Sequence, residues 1–188
     1  FGTAHRAHAS THGVASHLQA VSGFLMEAEL AHLGDLLGNP ERPFVAILGG
    51  AKVSDKIDVL ESLITKADVV LIGGGMSFTF LKARGREIGK SLCEPDLDIA
   101  RRIEKKAQES GVKLFLPVDV VTSTSIKEGS PPQTVDVEHI PADQMGLDIG
   151  PKSAALYAEQ IAQAKTIFWN GPMGVFEVRP FEMGTLAV

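Results

Sequence analysis

The chain has one cysteine, Cys93, one tryptophan, Trp169, and one tyrosine, Tyr157. A lone cysteine permits no intrachain disulfide, which excludes a disulfide-stapled secreted scaffold. No apolar run approaches the ~18 residues of a membrane-spanning helix. Positive charge is not in excess either, since 18 Lys and Arg against 23 Asp and Glu leave a formal net charge of −5. That argues against a broad nucleic-acid or membrane-surface footprint, which needs clustered cations. An anionic ligand must therefore be held by local charge. The first residues, Phe-Gly-Thr-Ala-His-Arg-Ala-His, include no initiator Met and no apolar signal core. The last ones, from Phe181, read as a loop entering an apolar helix that is cut short. Both ends are expected to be cut points in a longer, cytoplasmic protein.

What is present suits one well-packed domain: 188 residues, 44% hydrophobic and 22% charged. Four apolar runs recur, at residues 44–48, 69–72, 114–116 and 167–169. They are nearly continuous and do not alternate, as expected of strands buried on both faces of a parallel sheet. Helical patterns lie between them. Ile57, Leu60, Leu63 and Ile64 share a face over residues 55–66, and Leu97, Ala100, Ile103 and Ala107 do so over 96–110, before the stop at Gly111. A third helix is expected from Pro151, preceded by Gly150, to about 164. A further one spans 24–37, with Leu25, Leu30, Leu33 and Leu37 apolar, ahead of the breaker Gly38-Asn39-Pro40. Residues 122–133 show no helical period and read as loop and irregular strand. Strand alternating with helix predicts a three-layer α/β/α fold around an open parallel sheet.

The junctions after these strands are the places for chemistry, because open α/β sheets bind ligands at the carboxyl ends of their strands. After 44–48 come Gly49-Gly50-Ala51-Lys52-Val53-Ser54-Asp55-Lys56, where Ser54 is expected to cap the helix. Two lysines at a helix N-terminus oppose the macrodipole by about 0.3–1 kcal/mol each. A bound polyanion reverses that sign, whereas Asp55 and Asp58 on a solvated surface offer the plainer explanation. After 69–72 come Gly73-Gly74-Gly75-Met76, suited to anion binding by amides or to a tight turn. After 166–169 come Asn170, Gly171, Pro172 and Gly174, which cannot continue a strand.

Known phosphate motifs narrow the choice. No segment supplies the Walker pattern, and after Gly73 and Gly75 the dinucleotide fingerprint fails at Phe78. A dinucleotide-binding oxidoreductase domain is then the runner-up, with a non-catalytic α/β scaffold as the third reading. His5, His8 and His12 could line a helix face, but no cysteine or carboxylate precedes Glu27 to complete a metal site. Arg6, among small residues, is either a free fork for a carboxylate or phosphate or a plain surface arginine. No Ser-His-Asp or Cys-His set can be assembled.

Five collinear motifs resemble phosphoglycerate kinase: Gly2-Thr3-Ala4-His5-Arg6-Ala7-His8, Leu48 to Lys56, Ile72 to Met76, Met145-Gly146-Leu147-Asp148-Ile149-Gly150-Pro151, and Trp169-Asn170-Gly171-Pro172 with Gly174-Val175-Phe176-Glu177. The resemblance spans essentially the whole chain. It implies a two-lobe kinase that moves a phosphoryl group reversibly between 1,3-bisphosphoglycerate and ADP, giving 3-phosphoglycerate and ATP with Mg²⁺. Residues 1–23 would be a remnant of the substrate lobe, 24–38 the interdomain helix, and 39–188 an incomplete nucleotide-binding domain.

By that resemblance Arg6 contacts 3-phosphoglycerate, and Lys52 and Lys56 hold the nucleotide phosphates. Gly50, Ala51, Gly74, Gly75, Gly146 and Leu147 border the adenine. Asn170, Pro172, Gly174, Val175 and Glu177 surround the ribose and phosphates, Glu177 accepting a ribose hydroxyl. Lys56, Lys52 and Arg6 are the catalytic candidates. No metal ligand is expected within the chain, because the magnesium-binding aspartate of the family falls after Val188. The other 3-phosphoglycerate contacts fall before Phe1, so the fragment should bind nucleotide without turnover. No membrane or nucleic-acid partner is expected, and the complete protein should be a monomer. A proline common in the family near residues 17–20 is absent.

Overall fold

Five successive apolar residues form β1 (Phe44–Leu48), and none of them is exposed. In the computed structural model, which describes residues 6–188 and only the backbone of 35 and 37, this strand lies inside a four-stranded sheet. Its neighbours are β2 (Val69–Ile72) on one side and β7 (Thr166–Asn170) on the other, with β3 (Lys113–Phe115) beyond β2. All pairings are parallel, with Val45 opposite Val69 and Ile167. These are the four runs expected from the sequence. They differ in burial, however: β1 and β2 are wholly buried, whereas β7 stands at an edge and leaves Ile167 and Trp169 exposed by 48% and 43%.

The chain divides at Pro40 into two compact units. In the first, a π-helical turn Ala9–Gly13 leads into a 3-10 turn Val14–Ser16 and then into α1 (Phe24–Gly38). Phe24, Leu25 and Leu30 on α1 are exposed. His5 and the start of the first motif lie outside the described residues.

In the second unit, Glu41–Val188, the strands are joined by helices as expected. A 3-10 turn Ser54–Lys56 runs into α2 (Ile57–Leu63), which sends Leu60 and Leu63 inward. Next come α3 (Met76–Ala83) and α4 (Asp98–Glu109), the latter burying Ala100, Ile103 and Ala107. The last long helix, α5 (Pro151–Ala162), begins at the expected proline, and a short α6 (Met183–Ala187) ends the chain. Between the parallel sheet and α5 lies a core of Val45, Ile47, Val69, Leu71, Ile149, Ala154, Tyr157 and Met173. The Tyr157 hydroxyl spans this layer and donates to the Ile72 carbonyl at 2.6 Å.

A second sheet was not foreseen. β4 (Asp119–Ser123) lies between β5 (Gln133–Asp136) and β6 (Met145–Ile149), with both pairings antiparallel. Thus the stretch read as loop and irregular strand from 122 to 133 begins and ends in regular strands, with the loop between them. The polar residues Asp119, Thr122 and Ser123 are buried in β4 and hide its strand character from any apolar pattern. Burial is sustained by partners: Asp119 accepts from the Ser153 and Lys152 amides at the start of α5, at 2.7 and 3.1 Å.

Candidate functional site

The parallel sheet has strand order β3-β2-β1-β7, so the chain moves outward from β1 in one direction and later returns to its other side. The resulting switch point lies between the carboxyl ends of β1 and β7, the place where a crevice opens in such folds. Here the two turns interlock through their backbones. The Gly49 amide donates to the Asn170 carbonyl at 3.0 Å, Gly73 to Leu48 at 2.8 Å, Gly74 to Met173 at 2.9 Å, and Met76 to Gly50 at 2.9 Å. Close approach explains the glycines. Gly74 has a φ of +66°, and a Cβ on it would lie 2.6 Å from both N and O of Gly50.

A cavity of about 480 Å³ opens beside this junction. Gly50, Ala51, Gly74, Gly75, Gly146, Leu147, Pro172, Gly174, Val175 and Glu177 line it, ten of the thirteen residues named above as nucleotide neighbours. Phe78, Leu92, Val120 and Ile126 add apolar wall. The cavity is therefore a mainly apolar slot with glycine backbone at its mouth, a shape suited to a flat ring carrying a polar tail. The β6 strand reaches the slot through Leu147, whose carbonyl accepts from the Val175 amide at 2.8 Å.

Lys56 sits at the edge of this space. Its ammonium donates to the backbone carbonyl of Asn170 at 3.1 Å and to the Asn170 side-chain oxygen. Partial burial pulls the Lys56 pKa below its ordinary value, against the raising effect of Asp55. Lys52 is exposed on the same loop. Arg6 belongs to the other compact unit and is exposed. Among the described residues no group of three or more His, Cys, Asp or Glu side chains gathers for a metal.

Ser54 does not cap the helix that follows it. Glu94, 40 residues on, instead holds the start of the 3-10 turn that leads into it: its carboxylate accepts from the Val53 amide at 2.7 Å and the Ser54 amide at 3.2 Å. The sequence offered no signal for this, since Glu94 lies in a stretch without periodicity between two helices. Asp148 was also missed as a site residue. It lines the cavity, is 3% exposed, and accepts from the Ile149 and Gly184 amides at 2.9 and 2.6 Å. Burial pushes its carboxyl up to about 7; the Gly184 and Ile149 amides work against this, and Glu182 adds to it.

A family model for phosphoglycerate kinase matches residues 1–188. The phosphoglycerate kinase of Pelotomaculum thermopropionicum is 57% identical over all of this chain and 48% of that protein. That of Chloroflexus aurantiacus is 54% identical over all of this chain and 47% of its own length. The chain thus spans about half the length of the curated relatives it matches. Among solved structures, the phosphoglycerate kinase from Coxiella burnetii superposes with a TM-score of 0.85 at 45% identity, over 88% of this chain and 43% of that one. The enzyme from Pyrococcus horikoshii gives 0.81 at 31% identity, over 99% of this chain and 48% of that one.

Proposed function

This chain belongs to the phosphoglycerate kinase family, and we propose that it supplies the nucleotide-binding half of an enzyme that transfers a phosphoryl group reversibly between 1,3-bisphosphoglycerate and ADP. The observation that carries this reading is the placement of Lys56 on Asn170 at the β1/β7 switch point, beside a glycine-mouthed apolar slot. In the proposal the slot takes the adenine between Gly74, Gly75, Gly146 and Leu147. Glu177 accepts a ribose hydroxyl, and the phosphates run out toward Lys56 and Lys52. Residues 24–38 serve as the interdomain helix, 1–23 belong to the substrate lobe, and Arg6 meets 3-phosphoglycerate there.

The chemistry suits these residues. The attacking oxygen in either direction is already an anion and the leaving group departs as a carboxylate or phosphate anion, so positioning and charge stabilisation carry the rate and no general base is required. Magnesium enters as part of the nucleotide substrate, neutralising phosphate charge. Lys56 and Lys52 stabilise charge on the transferred group, a single such donor being worth about 10²–10³ in rate. Partial burial helps Lys56, because a charge in a less polar setting acts more strongly on a neighbouring anion.

Trp169 provides the test, since it precedes Asn170 and its indole nitrogen donates to the Gly171 carbonyl at 2.7 Å. Titration of the folded chain with Mg-ADP should change its emission saturably, and NAD should not compete. Equal displacement by NAD would favour the dinucleotide-binding reading. Folding is checked separately by circular dichroism. Turnover is then measured on the full-length protein with 3-phosphoglycerate and Mg-ATP.

A further inference from the structure

Residues 91–94 run beside the cavity and on to the lysine-bearing loop. The Ser91 hydroxyl accepts from the Gly146 amide at 2.8 Å. Leu92 lines the slot beside Gly75 and Ala51. Glu94 takes the Val53 and Ser54 amides, while its own amide donates at 3.2 Å to the hydroxyl of Thr79, a fully buried residue of α3. Glu94 is thereby tied by its backbone amide to α3 and by its carboxylate to the lysine-bearing loop.

We propose that Glu94 is a positioning residue for Lys52 and Lys56, acting through the backbone amides it holds between them. Two cations at the positive end of a helix destabilise it unless an anion is present. Asp55 and Asp58 offset part of that charge from within the turn and helix, and Glu94, through the two amides it accepts from, fixes the backbone between the lysines, so the loop can hold its shape before any ligand arrives. The same contacts have a second consequence. Because the Val53 and Ser54 amides at the head of the helix are already taken, a bound phosphate is met by the lysine side chains and not by those amides. Burial alone would raise the Glu94 carboxyl, but the hydrogen bonds from Ser54 and Val53 and the charge of Lys52 outweigh it and hold the group below its usual range. Glu94 is therefore an ionised acceptor at neutral pH.

This inference rests on the nucleotide reading and is tested against it in the full-length protein by equilibrium binding of Mg-ADP and of adenosine. Glu94→Ala removes the acceptor and should weaken Mg-ADP about tenfold, the size of one lost charge-assisted contact geometry. Adenosine, which reaches no lysine, should bind unchanged. Glu94→Gln keeps an acceptor for the amides and should restore Mg-ADP affinity to within about threefold of wild type. Glu94→Asp, with a shorter reach, should fall between them and provides a folded comparison if the alanine variant is unstable.

Equal weakening of ADP and adenosine would mean that Glu94 only supports the fold, and the proposal would fail. Tighter ADP binding in both Ala and Gln variants would show that Glu94 merely competes with phosphate for Lys52, and would also overturn it. If wild type binds adenosine and NAD but shows no preference for Mg-ADP, the nucleotide reading itself fails and this inference falls with it. Normal wild-type binding with an unchanged Ala variant would sink the positioning role alone.

Discussion

The Lys56 ammonium reaches across the sheet's open end to Asn170, 114 residues away, and bonds both its carbonyl and its side-chain oxygen. The two residues close the switch point between β1 and β7. The contact is exposed, so its loss should cost little stability. Lys56→Ala in the full-length protein should lower kcat by about 10²–10³ while leaving the melting temperature nearly unchanged. A coupled turnover assay and a thermal melt separate the two effects. Near-normal turnover, or a loss of activity matched by a loss of folding, would defeat the assignment.

Gly74→Ala should be damaging for two separable reasons. The residue has φ +66°, and its added Cβ would press on Gly50 backbone atoms at 2.6 Å and the Pro172 carbonyl at 3.0 Å. Together these should cost about 2–5 kcal/mol. Gly85→Ala isolates the backbone part, because Gly85 has φ +82° with open space around it. It should cost only about 1–2 kcal/mol. Equal urea midpoints for the two variants would show that the close approach of Gly74 to Gly50 contributes nothing.

The parallel sheet was legible because its strands are apolar without interruption. Its helices were legible because Leu60, Leu63, Ala100 and Ile103 recur at helical spacing. The glycine turns were legible because backbones that pass so close leave room for no other residue. What escaped is polar and long-range. Strand β4 carries buried Asp119 and Thr122, whose partners are Ser153, 34 residues on, and the Gln133 carbonyl, 11 residues on. The 3-10 turn leading into α2 and the start of α5 are held by Glu94 and Asp119 from distances of 40 and about 33 residues, not by the local Ser54. Local pattern finds a periodic face, but it cannot find a carboxylate that only the fold brings to an amide.

Tyr157→Phe tests one such distant polar contact inside the core. The hydroxyl is buried and donates to the Ile72 carbonyl, just before Gly73; burial also pushes its pKa upward, keeping it protonated. Removing it without changing the ring should cost about 1 kcal/mol, the usual net value of such a bond. Mg-ADP affinity should be unaffected, since the contact lies beneath the turn. A denaturant series and a binding isotherm on one variant distinguish this from a role in the site. Weakened nucleotide binding at unchanged stability would count against a purely structural bond.

Asp148 gives the protein a pH dependence opposite to that of an ordinary paired carboxylate. Its ordinary value is 3.8, and in the fold burial raises it to about 7. Folding therefore takes up a proton between those two values. The contribution of this group to stability is fully present below about pH 4 and is lost as pH rises through 7, on the order of 2–4 kcal/mol at most. The charge of Glu182 reinforces the effect, whereas the Gly184 and Ile149 amides favour the ionised form. Other carboxylates in the protein push the curve the other way, so the comparison must be with Asp148→Asn. Wild-type stability relative to that variant should decline steadily from pH 5 to pH 8, read from urea unfolding at each pH. Parallel curves would show that Asp148 is ionised throughout, with its two amide bonds overcoming burial. In that case the wall of the cavity beside Gly174 would carry a fixed negative charge facing the proposed nucleotide site.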